Sequence, residues 1–126
     1  MASRRAQGGH CELRVWQEAR LLARDLDVVV AALARARRWH LADQLARAAT
    51  SVHANVAEGS GRRTRRDFAA FLTIAWASLR EVESLLDEAL DVDPTLRPLA
   101  APCRPRITHR ARLLAGLLRA LRAPTP

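Results

Sequence analysis

Apolar residues recur along most of this chain at alternating spacings of three and four, the signature of helices that each bury one face. Between Glu12 and about Arg37 they stand at Trp16, Ala19, Ala23, Leu26, Val30 and Leu33, which predicts a first helix. Arg35, Arg37 and Arg38 crowd its end, where cations complement the negative pole of the helix dipole. A second helix is predicted from about His40 to Glu58, with Leu41, Leu45, Ala48, Val52 and Val56 on one stripe, stopped by Gly59 and Gly61. Thr64, with Asp67 three residues on, caps a third. Its stripe of Phe68, Leu72, Ala75, Leu79, Val82, Leu86 and Ala89 is the longest in the chain. Pro94, Pro98, Pro102 and Pro105 mark residues 94–105 as a connection, and Ile107, Ala111, Leu114, Leu118 and Leu121 predict a fourth helix ending near Arg122.

Four amphipathic helices, short connections and no strand pattern predict an all-α fold, an antiparallel up-down-up-down four-helix bundle. The expected organisation is a flexible tail over residues 1–11, one bundle domain over 12–122 and a second tail over 123–126. A chain of 126 residues suits a single core. The longest apolar stretch, Val28 to Ala34, falls far short of the ~20 residues that cross a bilayer. No charged start followed by an apolar stretch precedes Glu12, so a secretory signal is not expected. Cys11 and Cys103 are too few and too far apart for a disulfide framework, which leaves a single bridge open, and the cytoplasm is the expected compartment.

Charge adds what periodicity does not contain. The net charge is +8 and every basic residue is Arg. Abundant Ala and the absence of Lys and Tyr fit a codon bias, so Arg in place of Lys is not read as a sign of nucleic acid. The charge itself favours a polyanion, whether RNA, DNA, anionic lipid or an acidic protein. It is also blocked: residues 1–66 carry 13 Arg against 6 acids, 67–93 carry 1 against 7, and 94–126 carry 7 against none. An antiparallel bundle sets Asp87, Glu88, Asp91 and Asp93 beside Arg35, Arg37, Arg38, Arg104, Arg106 and Arg110, where opposite charges largely cancel. Uncompensated charge then gathers at the other end, with Arg4, Arg5, Arg14, Arg62, Arg63, Arg65, Arg66, Arg119 and Arg122 against Glu12, Glu18, Glu58 and Asp67.

The run Gly59 to Arg66 combines glycines that admit close backbone approach, a helix start at Thr64 and four arginines. Such a run can cradle phosphate, and it serves equally as a solvated turn that keeps the protein soluble. The third helix carries Ala69, Ala70, Phe71, Ile74, Trp76 and Ala77 outside its stripe, more apolar surface than one core face needs. Self-association is the expected cover, with Phe71, Ile74 and Trp76 at the interface. Trp39 and Trp76 could also serve as interface anchors or stacking platforms, whereas Trp16 lies on the core stripe.

Catalytic and metal chemistry find little support. No Glu-x-x-His, Cys-x-x-Cys or His-Glu-x-x-His pattern is present, so neither metal nor other cofactor is expected. His53, Asn55 and Glu58 contain an acid–base set in principle, but their placement before Gly59 fits Asn55, Glu58 and Gly59 as residues that hold the chain reversal. Residues 41–59 superficially resemble a helix-turn-helix yet lack the break between its helices.

Several spaced motifs agree in order with one family. Val15-Trp16 to Ala19 matches a Val-Trp-x-x-Ala start. Arg47-Ala48 with Ser51, Asn55, Ala57, Glu58 and Gly59 matches an Arg-Ala-x-x-Ser-x-x-x-Asn-x-Ala-Glu-Gly turn. Phe68, Phe71, Leu72, Ala75, Ser78 and Glu81 match a Phe-x-x-Phe-Leu-x-x-Ala-x-x-Ser-x-x-Glu helix. Over about residues 12–90 the chain thus resembles the bacterial four-helix-bundle proteins first met as products of intervening sequences in 23S ribosomal RNA genes. The resemblance implies an antiparallel bundle, often a ring-like pentamer, without known catalytic activity. A related branch serves diversity-generating retroelements as an accessory protein, a basic pentamer that engages reverse transcriptase and nucleic acid.

The expectation is therefore a non-enzymatic homo-oligomer that binds RNA or another nucleic acid through Arg62, Arg63, Arg65 and Arg66, with Arg14, Arg119 and Arg122 nearby. The alternative is a protein-interaction scaffold or an accessory subunit of a reverse transcriptase.

Overall fold

The computed structural model describes residues 9–124, and every regular element in that span is helical. A one-turn 3-10 helix, Gly9–Glu12, leads into α1 (Arg14–Arg35), followed by α2 (Trp39–Ser60) and α3 (Arg65–Val92). A 3-10 turn (Pro94–Leu96) and the single-turn helix α4 (Arg97–Ala100) then connect to α5 (Cys103–Arg122). Residues 9–11, expected as tail, belong to the 3-10 helix, and Ala123 and Pro124, also expected as tail, follow the end of α5; residues 1–8 and 125–126 lie outside the described residues. The proline-rich connection is helical over most of its length. Pro94 and Pro98 sit in the first turns of their short helices, where a missing N–H costs no intrahelical bond.

The core is aliphatic. Leu22, Leu26, Val29 and Leu33 of α1 meet Leu45, Val52 and Val56 of α2 and Leu72, Leu79, Val82 and Leu86 of α3. Cys103, Ile107 and Leu114 of α5 complete the cluster, and Leu96 and Ala100 close one end of it. The predicted stripes of α2 and α3 are buried throughout. That of α1 is shifted by about one position: Leu22 and Val29 are buried, whereas Trp16, Ala23 and Val30 are partly buried at the margin. The cause is that α1 packs against both α2 and α5, so a face centred between those neighbours excludes more water than the narrower stripe.

The α1–α2 turn is a Schellman motif built without glycine. Arg38 N donates to Leu33 O at 2.9 Å, Arg37 N donates to Ala34 O at 2.9 Å, and Arg37 has φ 63°. A left-handed residue with a Cβ costs about 1–2 kcal/mol. The α2–α3 turn works differently. α2 continues through Gly59 to Ser60, with Gly61 as its C-cap at φ −84°, so neither glycine ends it by a left-handed twist. Gly59 is instead required by proximity: a Cβ there would stand 2.8 Å from Phe68 Cδ1 and 2.8 Å from Phe71 Cβ.

Part of α3's apolar surplus is absorbed within the chain. Ala69 is buried, and Phe71 and Trp76 are half-buried. Ile74 remains 49% exposed, as does Val28 of α1 at 50%.

Two substitutions test these turns by thermal or urea unfolding. Gly59→Ala should destabilise the protein by about 1–3 kcal/mol, the range for overpacking a tight contact. Arg37→Gly should stabilise it by about 0.5–1 kcal/mol, because relief of the left-handed strain exceeds the added freedom of the unfolded chain.

Candidate nucleic-acid interface

The α2–α3 turn emerges where two helices are held close by Gly59, so it has no room to fold back on itself and its residues 61–67 are all exposed. Thr64 caps α3 through its hydroxyl, which accepts from Asp67 N at 3.0 Å, half of the expected capping box. The four arginines of this turn are not equivalent. Arg62 is committed to the Glu58 carboxylate at 2.7 Å, and its guanidinium lies 4.7 Å from the Phe71 ring centroid. Arg65 donates to the Ala120 carbonyl near the end of α5, a bond that orients the guanidinium and leaves its charge intact. Arg63 and Arg66 have no ion pair or hydrogen bond among the described residues. Of the four arginines expected as phosphate contacts, Arg62 is therefore partly neutralised, and Arg63, Arg65 and Arg66 carry charge without a carboxylate partner among the described residues.

The end of α5 joins this cluster. Arg122 donates to the Thr73 hydroxyl at 3.1 Å, and Arg119 is exposed beside it. At the α1 side, His10 lines a cavity with Glu58, Gly61 and Arg62, and its ring packs edge-on against Trp16. Arg14, exposed, opens α1 next to that contact. Arg4 and Arg5, counted in the same cluster, lie outside the described residues.

At the opposite end, Arg37, Arg38, Trp39 and His40 share a cavity with Glu88 and Val92, as the charge blocks predict. Arg104 pairs with Asp87, also as expected. Arg106 and Arg110 do not join α3's acids. Arg106 pairs with Asp25 at 3.1 Å. Arg110, only 8% exposed, donates from Nε to the Glu18 carbonyl at 2.9 Å and approaches the Glu18 carboxylate at 3.4 Å. The reason is helical phase: residues 106 and 110, one turn apart, face α1, whereas residue 104 faces α3. This correction bears on the basic end, because Glu18, counted there as a compensating acid, is drawn instead to Arg110.

The proposed turn-holding set is corrected as well. Glu58 and Gly59 do shape the reversal, but Asn55 does not reach it. Its Nδ2 donates to the Ser51 carbonyl at 2.8 Å and to Ser51 Oγ at 3.0 Å, and Ser51 Oγ hydrogen-bonds Ser78 Oγ across to α3 at 2.8 Å. The motif residues Ser51, Asn55 and Ser78 therefore form one polar tie between two helices. Nothing in the spacing of Ser51 and Ser78, on separate helices, pointed to their meeting. Nor do His53, Asn55 and Glu58 converge, since Asn55 faces Ser51 and Glu58 faces Arg62. Among the described residues no three His, Cys, Asp or Glu side chains group as a metal site, and no helix is long and apolar enough to cross a membrane.

The match that decides the family covers most of the chain: the family model described as 23S rRNA-intervening sequence protein fits residues 11–115. The chain belongs to that family. Among solved structures, it is similar to a protein of unknown function from the S23 ribosomal protein family of Bacteroides thetaiotaomicron VPI-5482. The two share 22% identity with a TM-score of 0.76, over 83% of this chain and 98% of the other. No curated protein matches the chain. For this family member the structural likeness supports the all-helical fold, and the residues at its basic end must carry any argument about function.

Burial lowers the pKa of His53 from its usual 6.5, with Arg20 and then His10 adding to the effect. The folded chain therefore takes up that proton less readily than the unfolded chain. Stability contributed by neutral His53 is fully present above the unfolded pKa and declines as pH falls through about 6.5. Urea unfolding at about pH 7.5 and about pH 5 should show a larger acid-induced loss in the wild type than in His53→Gln. Equal losses would remove His53 from the balance.

Proposed function

We propose that this family member is a non-enzymatic, self-associating antiparallel four-helix bundle that acts in the cytoplasm and binds RNA through its arginine-rich end. Pairs of contacts support the antiparallel arrangement. Ser51 meets Ser78 while Gly59 meets Phe68; Glu18 meets Arg110 while Asp25 meets Arg106; Thr73 meets Arg122 while Asp87 meets Arg104. In each set one number rises as the other falls. Ile74 and Val28, apolar and half-exposed, support self-association. In a pentamer, which the family resemblance implies, the basic cluster would recur around the assembly, and avidity would strengthen shallow contacts.

The observation that carries the RNA reading is the gathering of Arg63, Arg65, Arg66, Arg119 and Arg122 at one end without a carboxylate partner for any of them among the described residues. A fold stabilised only by internal ion pairs has no use for this cluster, whereas a phosphate backbone neutralises it with release of counterions. Arg65 and Arg122, each already held by one hydrogen bond, lose less side-chain freedom on binding than free surface arginines.

Replacing Arg62, Arg63, Arg65 and Arg66 together with Ala should weaken RNA binding at least about tenfold at moderate salt, for every RNA sequence alike. The slope of log affinity against log salt should flatten by roughly 0.7–0.9 for each phosphate that the variant no longer neutralises. Filter binding across a salt series measures both. An unchanged slope, or co-purification of a stoichiometric protein partner that survives nuclease and replaces RNA, would overturn the reading.

A further inference from the structure

The basic end continues into a groove. Between the start of α3 and the end of α5 lies a depression of about 510 Å³ bordered by Arg65, Arg66 and Arg122, with Ala69, Ala70 and Leu121 among its lining. Arg122 and Ala123 also border a second depression of about 630 Å³, which Trp76, Thr73, Leu118 and Arg119 line. The two adjoin at Arg122 and Ala123 along the α3–α5 seam, and together are called the trough. No acidic side chain lines either part. Arg80 lies 6.0 Å from the indole centroid but pairs with Glu83 at 3.2 Å and lines neither depression, so the cationic rim is that of Arg65, Arg66, Arg119 and Arg122.

We propose that this trough is a binding site for single-stranded nucleic acid, with phosphates on Arg65, Arg66, Arg119 and Arg122 and an unpaired base stacked on Trp76. The proposal rests on the RNA reading above and goes further by giving strandedness and a path. Arg66 and Trp76 are ten residues apart on one helix, about 15 Å, which an extended strand covers in a few nucleotides. A duplex would use the guanidiniums but not the indole, since its bases are stacked on one another. Only an unstacked base can exploit an aromatic wall next to a cationic rim, and such stacking tolerates any sequence. Phe71 is not among the residues that line the trough, and Arg62 lies closer to its ring, at 4.7 Å, than Arg80 does to the indole.

The test titrates the full-length protein with a short oligouridylate and with a duplex RNA of equal phosphate count. Wild type should bind the single strand more tightly and show quenched tryptophan fluorescence. Trp76→Leu should lose about tenfold affinity for the single strand, with duplex affinity and salt slope unchanged, and Trp76→Phe should recover part of the loss. Ala123→Glu, an exposed change that leaves the indole in place, should weaken single-strand binding several-fold, which keeps the test open if Trp76→Leu folds poorly. If single strand and duplex bind equally and both substitutions are silent, the trough is overturned while the arginine-rich end stands. If the fourfold arginine variant also binds normally, the RNA reading itself has failed. A change of assembly size in Trp76→Leu, seen by sedimentation, would assign the trough to a second copy of the chain and overturn the proposal.

Discussion

The close approach of α2 and α3 at Gly59 is the constraint on which the basic end depends. With only hydrogen at that Cα, Phe68 and Phe71 seat against the last turn of α2. The connection between the helices then spans only Gly61 to Thr64 before α3 begins. A connection this short cannot bury its own side chains, so its arginines project into solvent whatever partner they serve. The polar tie of Asn55, Ser51 and Ser78 begins about one turn away at Asn55, crosses the same seam two to three turns away at Ser51 and Ser78, and fixes the axial alignment of the helices. Steric access and polar registration thus act at different heights of one interface.

On the other side of the molecule, α5 is held by a different device. Its apolar face is thinner, with Ile107 and Leu114 buried and Ala111, Leu118 and Leu121 only partly so. Arg110 supplements that face, lying buried with its Nε on a backbone carbonyl of α1. A guanidinium so placed is costly to desolvate unless it is hydrogen-bonded and paired; the Glu18 carbonyl accepts from Nε, and the Glu18 carboxylate, with Asp25 at 4.0 Å, offsets the charge. That same pairing removes Glu18 from the basic end. The charge available to a polyanion therefore depends on a contact made along the α1–α5 seam.

The helices were legible from spacing because each buries a face with a period that no strand shares. Legibility was greatest in α2 and α3, where alanines flank a single aliphatic stripe. It was weaker in α1, where Leu21-Leu22 and Val28-Val29-Val30 satisfy the same period in more than one phase, and only the positions of two neighbours select among them. The arginine cluster was legible from charge blocks read on the expected alternation of helix direction. Its pairing pattern was not, because whether Arg106 and Arg110 face α1 or α3 is a matter of rotation about the α5 axis. Asn55 shows the same limit. Its place before a glycine suits a turn-holding role, yet its side chain points back along the helix to a hydroxyl that only the α2–α3 contact brings within reach.

Cys103 begins α5 as a free thiol buried in the core, its pKa raised by burial and then by Asp25. Since the thiolate is the reactive form, this sulfur is chemically silent while α5 stays seated and becomes modifiable when that helix lifts. The protein therefore carries a native reporter of how often its last long helix comes away, readable as the rate at which an alkylating reagent marks the peptide that contains Cys103.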